Sequence, residues 1–530
     1  MSKWTQLNAE MAVSEQLAAH ELSEIYAAGF RSVICNRPDA EGGDTQPSQH
    51  DMAQAAQAVG LKFAYLPLVP GQIGLDEARA FAQLISTLPG PVLAYCRTGN
   101  RSQTVYQLAQ SQGLLPSTEA TPTATIDADF DVVIVGGGSG GIGVAASLLK
   151  RDAALRIAII EPSQTHYYQP AWTLVGGGAY DSAATKRSMA SVMPKGVEWL
   201  QVAASRFIPD CNRVALADGR EVSYQQLIVC PGLELHWAGI EGLEETLGVN
   251  GVTSNYRFDL APYTWKLVQE LKGGTAIFSQ PPMPIKCAGA PQKAMYLSCD
   301  YWLKQGRLKD INVEFCNTGA VLFGVATFVP PLMQYVERYG INLEFNHQLV
   351  RVDGPAKTAW FDVTGADGEV TRVEKKFDLL HAVPPQRAPD VVRNSPLANA
   401  AGWCDVDQHT LQSPRYANVF SLGDACSSPN TKTLAAVRKQ VVIVAENLLA
   451  LRAGKPLATL YDGYGACPLT VEKGKVVMAE FGFGGKLLPT FPLDPAVPRR
   501  SQWFLKATIL PIVYWDLMLK GREWLARPSK

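Results

Sequence analysis

The run Asp131-Val132-Val133-Ile134-Val135 passes directly into Gly136-Gly137-Gly138-Ser139-Gly140-Gly141 and then into a stretch rich in Ala and Leu. A strand, a glycine turn and a helix in that order leave few folds open to a chain. Gly136, Gly138 and Gly141 hold the three glycine positions of a GxGxxG turn. Without Cβ atoms the backbone turns tightly, and a pyrophosphate can reach the free N–H groups at the helix N-terminus, where the dipole favours an anion. Beyond Gly141 the run RIAII ends in Glu161, placed to accept hydrogen bonds from a ribose. The motif predicts a doubly wound α/β dinucleotide-binding unit.

Around this unit the sequence divides into four parts. Residues 1–112 alternate short apolar and helical runs, as a small α/β domain does; 113–129, rich in Thr, Pro and Ala, reads as a linker; 130–470 is the nucleotide-binding unit; 471–530 changes composition again. With 530 residues, 47% of them hydrophobic, each domain can bury its own core. Lys+Arg 48 against Asp+Glu 49 leaves a net charge of -1, which excludes nucleic acid as an expected partner. The start, MSKWTQLNAEMAV, lacks the charged and apolar regions of a signal peptide, so a cytoplasmic location is expected. Ten cysteines are too sparse for a disulfide scaffold and form no metal-ligand spacing.

A second nucleotide turn is expected where the strand Thr275 to Ser279 ends, but QPPMPIKC follows it. Pro281, Pro282 and Pro284 have no N–H and a fixed φ, so they cannot cradle a pyrophosphate, and a nicotinamide site is not expected. The late motif Ser421-Leu422-Gly423-Asp424 follows a strand, as does the Asp that meets the ribityl chain in two-dinucleotide flavoproteins, so the one cofactor expected is FAD. A helix from Thr433 to Leu449 would point its N-terminus at the isoalloxazine, with Lys432 adding a positive charge.

Two cysteines stand in polar loops near that flavin. Cys287 lies between Lys286 and Lys293 before a helix start, which lowers a thiol pKa; Cys426 follows Asp424 by two residues. Together they suggest dithiol and disulfide chemistry. Cys35, Cys211, Cys230, Cys299, Cys316, Cys404 and Cys467 read as packing residues.

HYYQPAWTLVGGG (166–178), PIKCAGAPQK (284–293), AVPPQRAPDVVRNSPLANAAGWCDVD (382–407), NTKTLAAV (430–437), YDGYGACPL (461–469) and LPIVYWDLMLKG (510–521) resemble sulfide:quinone oxidoreductases of the kind found in mitochondria and many bacteria, over roughly 130–527. The resemblance implies a disulfide-reductase-type FAD flavoprotein of two Rossmann-like halves, with Gln169 and Pro170 at the cofactor and Cys287 as the flavin-side cysteine. The family's other redox cysteine normally follows the Asp of the GD motif directly. Here Ala425 stands there and Cys426 one place later, so Cys426 is the expected partner of Cys287. The implied reaction oxidises sulfide to a protein persulfide, passes electrons through FAD to a membrane quinone, and yields sulfane sulfur to a small thiol or sulfite.

Between Trp503 and Trp524, apolar and aromatic residues recur at helical spacing, and from Arg499 onward seven Lys/Arg face two acidic residues. No stretch reaches the ~20 apolar residues of a span. Two short helices lying on the cytoplasmic face of the inner membrane are expected, with Trp503, Tyr514 and Trp515 at the lipid surface and Phe481, Phe483 and Phe491 walling a quinone pocket.

In the N-terminal domain, PVLAYC delivers Cys96 into Cys96-Arg97-Thr98-Gly99-Asn100-Arg101-Ser102 ahead of a helix. Such a loop forms an anion nest closed by Arg101, readying Cys96 as nucleophile. Four residues separate Cys96 from Arg101, against five in tyrosine phosphatases. The domain resembles the phosphatase-like family fused to metallo-β-lactamase-fold persulfide dioxygenases, and sulfur transfer is its expected activity, with tyrosine phosphatase and inactive relic as alternatives. An NADH:quinone oxidoreductase and a non-catalytic redox-sensing membrane scaffold are the rival readings of the whole chain; self-association into a homo-oligomer is allowed.

Overall fold

The computed structural model describes residues 4–526 apart from 9, 44–45, 70–71, 113, 116–128 and 430. The chain forms two compact units, Met1–Ile126 and Asp127–Lys530. Most of the expected linker at 113–129 lies outside the described residues.

In the first unit Met11–Ser14, Val92–Tyr95, Ser32–Cys35 and Lys62–Tyr65 run parallel in that order, and Trp4–Asn8 closes one edge antiparallel. The period-two geometry of a strand divides VLAY between two helical layers. Val92 and Ala94 pack with Phe81 and Val105, while Leu93 and Tyr95 pack with Ile25 and Met52. A strand buried on both faces is apolar throughout. It ends at Cys96, ahead of the helix Asn100–Ser111.

The second unit holds two large sheets, the first mixed and the second parallel. In the first, Phe130–Val135 lies between Ile157–Ile160 and Glu221–Val229, with Val197–Leu200 beyond Ile157–Ile160; Val419–Ser421 joins parallel to Leu227, Ile228 and Val229. Its Val and Ile residues pack against Ile142, Val144 and Leu148 of the helix Ser139–Arg151, as the sequence predicts. The second sheet has the order Val252–Thr253, Leu379–His381, Gly274–Gln280, Ile311–Asn317, Asn342–Phe345, with the helix Ala290–Lys304 behind it. The antiparallel hairpin Gly465–Glu472 and Lys475–Phe481 packs against the same core.

The end of the chain differs from the expectation of two separate helices. Residues 500–520 are helical without a break, with two wide π-turns, Leu505–Ile509 and Val513–Leu517, flanking Leu510–Ile512. Pro511 lacks an N–H, and a widened turn accommodates it inside a continuous helix. The segment does not lie free. Gly521 packs on the helix Ser139–Arg151 so closely that a Cβ there would stand 2.5 Å from the Ala146 carbonyl oxygen. Glu523 accepts from Ser147 Oγ at 2.7 Å and from Arg151 Nη2 at 2.9 Å, and Arg151 also reaches Glu446. Among the described residues no helix is long and apolar enough to cross a membrane.

Removing one partner of this partly buried ion cluster leaves Arg151 half-compensated. Glu523→Gln is expected to cost about 2 kcal/mol, read as a lower thermal midpoint, with faster proteolysis of the C-terminal segment than of the rest of the chain.

Candidate active site

A cavity of about 450 Å³ lies in the second unit, and its lining falls into three groups. Gly136, Gly138, Ser139 and Glu161 form the glycine-turn wall; Cys287, Lys293, Asp424 and Lys432 form a chemical wall; Tyr464, Glu480, Thr490, Phe491, Leu505 and Trp524 form a third, largely apolar one.

The glycine turn fits a dinucleotide. A Cβ at Gly136 would stand 2.4 Å from the Cys230 carbonyl oxygen, and one at Gly141 would overlap the Gly136 carbonyl, whereas Gly138 has nothing within 4 Å and opens to the cavity. Glu161 accepts from the backbone N–H of Gly137 and of Ser163, each at 2.8 Å, which fixes its carboxylate at the turn. Trp172 Nε1, Thr173 Oγ1 and both amide atoms of Asn255 are buried on this cavity without a protein partner. Buried polar atoms need a partner, and the heteroatoms of FAD would supply one. Gln169 and Pro170 line the same space, and Gln169 Oε1 accepts from Lys286 Nζ.

The late motif folds as expected, with one difference in role. Thr433 caps the helix Leu434–Arg452, its Oγ1 accepting from Ala436 N–H. Asp424 lines the cavity. Lys432, however, spends its ammonium on the chain: Nζ donates to the carbonyls of Asp424 (2.8 Å) and Cys426 (3.0 Å) and lies over the Trp403 ring. Burial lowers its pKa.

The cysteine pair differs from the sequence expectation. Cys287 Sγ meets Cys467 Sγ at 3.7 Å, and Lys293 Nζ donates to them at 2.9 and 3.9 Å. Cys426 is instead fully buried, its Sγ turned back to the Gly423 carbonyl at 3.2 Å, and its backbone pairs with Cys404. Burial raises its pKa, as an inert thiol requires. The reason is local: Gly423–Ala425 form one tight helical turn and Cys426 then bridges to Cys404, with the Cys426 side chain in the first core cluster with Cys230 and Leu422. Cys467, expected as a packing residue, is the cysteine whose sulfur meets Cys287.

Three elements build this contact. The Pro-rich turn brings Cys287 to a left-handed backbone, φ 49°, held by its N–H to the Lys432 carbonyl at 2.8 Å. Gly289 follows, where a Cβ would stand 2.5 Å from Cys467 Sγ, so only glycine admits the hairpin sulfur. Lys293 lies one turn into the next helix and points back. The hydrogen bond from Cys467 pulls the Cys287 pKa well down, and Lys293 adds to this against the effect of burial. Cys467 is pushed up, because it donates to Cys287 and is buried. Of the two, Cys287 is the one whose thiolate is favoured. Lys506, buried on the C-terminal segment, has its pKa lowered to about 7 by burial and by the Lys293 charge. Sequence reasoning missed Cys467 and Lys506, and had Lys293 only as one of the two lysines flanking Cys287; the Gly-rich setting of YDGYGACPL was the one available signal for Cys467.

The aromatic residues also sort differently. Tyr514 and Trp515, expected at a lipid surface, are buried. Tyr514 OH bonds Ser139 Oγ at 2.8 Å and His166 Nε2, while His166 Nδ1 reaches the Gly137 carbonyl at 3.2 Å; the C-terminal segment thus closes over the glycine turn. Burial lowers the His166 pKa to about 4, so it stays neutral in this chain of bonds. Trp503 is half-buried; Phe481 packs edge-on to Phe323, and Phe483 edge-on to His409 and Tyr461, leaving Phe491 as the expected wall residue that faces the cavity. The exposed apolar residues of the segment are Phe504, Ile512, Trp524 and Leu525.

In the first unit Cys96 sits in its loop as expected. Burial raises its pKa, but the N–H groups of Ser102, Thr98 and Arg101 outweigh this, leaving it below the usual thiol value. Arg101 is held by a residue not singled out from sequence: Glu41 accepts from Nη1 and Nη2 at 2.8 Å each, and the Leu68 carbonyl from Nη1 at 2.7 Å.

Comparison with known proteins agrees with this division. Residues 4–113 match the family model "Beta-lactamase hydrolase-like protein, phosphatase-like domain", and 130–268 match "Pyridine nucleotide-disulphide oxidoreductase". The chain is 38% identical over 392 residues to the mitochondrial sulfide:quinone oxidoreductase of Mus musculus, covering 74% of this chain and 87% of the mouse protein. It is also 38% identical over 440 residues to that of Dictyostelium discoideum, covering 80% and 96%. The fold matches the solved sulfide:quinone oxidoreductase of Aquifex aeolicus with a TM-score of 0.61 at 20% identity, over 74% of this chain and 92% of that one.

Lys293→Met removes the ammonium nearest Cys287. The thiol pKa should rise by one unit or more, roughly, so that the pH profile of Cys287 alkylation by iodoacetamide moves to higher pH; Lys293→Arg should restore most of the shift.

Proposed function

Since the chain belongs to the sulfide:quinone oxidoreductase family, we propose that its second unit oxidises sulfide at the Cys287–Cys467 pair and delivers the electrons through FAD to quinone. The observation that carries the residue assignment is the contact of the two sulfurs with each other and with Lys293, in the cavity that also holds the glycine turn.

In the oxidised enzyme the two sulfurs are joined. Hydrosulfide attacks the Cys467 sulfur, a sulfur–sulfur bond forms, and the Cys287–Cys467 bond breaks with its electron pair on Cys287. Lys293, at 2.9 Å, stabilises the departing thiolate, and Lys506 adds charge below about pH 7. A small thiol or sulfite then takes the outer sulfur from the Cys467 persulfide and leaves a thiolate. The two thiolates rejoin as a disulfide and release two electrons. FAD, when bound, would supply the two-electron acceptor for these electrons and their link to quinone. Gly136, Gly138, Gly141 and Glu161 would hold its dinucleotide half, and Gln169, Pro170, Asp424 and Thr433 the flavin half. The Pro-rich turn after Gly274–Gln280 offers no glycine cradle, which argues against NADH as donor.

The exposed apolar residues Phe491, Phe504, Ile512, Trp524 and Leu525 support a peripheral seat on the cytoplasmic face of the inner membrane, with quinone entering beside Phe491 and Trp524. For the first unit we read a sulfurtransferase. A lowered-pKa Cys96 in a loop of four residues before Arg101 suits a persulfide better than a phosphate ester.

Cys467→Ser should lower sulfide-dependent quinone reduction at least roughly 100-fold, whereas Cys426→Ser should keep more than half of it; flavin absorbance should remain in both. The reverse pattern would reassign the pair. Cys96→Ser should leave quinone reduction intact and abolish sulfur transfer from a small persulfide to an acceptor thiol; unchanged transfer would remove the first unit from that role.

A further inference from the structure

The third wall of the cavity carries a buried carboxylate: Glu480 is 5% exposed. Its Oε1 accepts from Tyr464 OH at 2.6 Å and from Thr490 OH, and its Oε2 from Thr490 N–H at 3.1 Å. Tyr464 OH also lies 3.2 Å from Thr490 Oγ1. Two cations face the pair: Lys439 Nζ is 4.3 Å from the centre of the Tyr464 ring, and Arg438 lines the cavity with its guanidinium on the Trp524 carbonyl and in reach of Tyr464. The neighbours are apolar: Ala466, Pro468, Met478, Phe491, Leu505 and Leu510 line the same cavity. A carboxylate hydrogen-bonded to a phenol on such a wall is a geometric path for a proton.

We propose that Tyr464 and Glu480 are the proton-delivery pair for the quinone, with Tyr464 donating to the quinone oxygen and Glu480 reloading Tyr464. The proposal rests on the reading above that quinone occupies this wall. Quinone becomes quinol by gaining two electrons and two protons. The electrons come from sulfide through the flavin, which in its reduced form brings one proton with them. The other must be supplied inside an apolar pocket. The Tyr464 O–H turns to the quinone oxygen and gives its proton there as a proton passes from Glu480 to the Tyr464 oxygen. One proton moves one place along the pair, the phenol ends neutral, and Glu480 is left as the carboxylate that accepts from Tyr464 and Thr490. Thr490, half-buried next to the exposed Phe491, gives the carboxylate its route to solvent for reloading.

The alternative is that Glu480 only pins the loop carrying Thr490 to the hairpin. The full-length flavin-loaded protein separates the two. Reduced anaerobically with sulfide in a stopped-flow instrument, it is mixed either with a short-chain ubiquinone analogue or with ferricyanide, which takes electrons without protons. Tyr464→Phe and Glu480→Gln should each slow reoxidation by the quinone roughly 100-fold and leave reduction by sulfide and reoxidation by ferricyanide within about twofold. Glu480→Asp should recover part of the rate. Quinone reoxidation within about threefold of the unsubstituted protein in both variants, or equal losses with quinone and ferricyanide, would overturn the proposal. If the unsubstituted protein is reoxidised by ferricyanide and not by the quinone, the reading of this wall as the quinone site fails first.

Discussion

The hydrogen-bonded contact of Cys287, Cys467 and Lys293 is the constraint around which the second unit is arranged. It joins the turn after the second sheet, the start of the helix behind that sheet, and the hairpin near the end of the chain. Each contributor has given up something ordinary. Cys287 takes a left-handed backbone that a residue with a Cβ rarely adopts, Gly289 forgoes any side chain, and Lys293 is almost wholly buried. Charge is what makes the arrangement hold: a buried ammonium and a buried thiolate are each unfavourable alone and tolerable together.

A second constraint ties the cofactor wall to the end of the chain. The path from Gly137 through His166 and Tyr514 to Ser139 makes the last helical segment part of the nucleotide turn, and the Glu523–Arg151–Glu446 cluster fastens it along the same helix. One face of the segment is therefore committed to the protein core through Tyr514 and Trp515, and the opposite face leaves Phe504 and Ile512 exposed. Lys506 belongs to this segment and reaches the dithiol cavity. Dithiol, nucleotide turn and apolar surface thus share one short stretch of chain.

The two units lower thiol pKa values by different means. At Cys96 the field comes from backbone N–H groups at a helix start, with Arg101 held by Glu41; at Cys287 it comes from a neighbouring thiol and a lysine. Backbone dipoles are fixed by the fold and persist whatever the pH, whereas a network of titrating groups responds to it.

What the sequence by itself determined was whatever depends on neighbours along the chain. The glycine turn, the capped helix after Thr433 and the loop that carries Cys96 to a helix start are all set by a few consecutive residues, through φ/ψ freedom, capping or periodicity. Only the tertiary structure decided which sulfur meets Cys287, because Cys467 is 180 residues away and proximity along the chain favoured Cys426. The same holds for Lys506 and for the burial of Tyr514 and Trp515. An amphipathic pattern states that one face of a segment is apolar, and whether protein or lipid covers that face is a property of what packs against it.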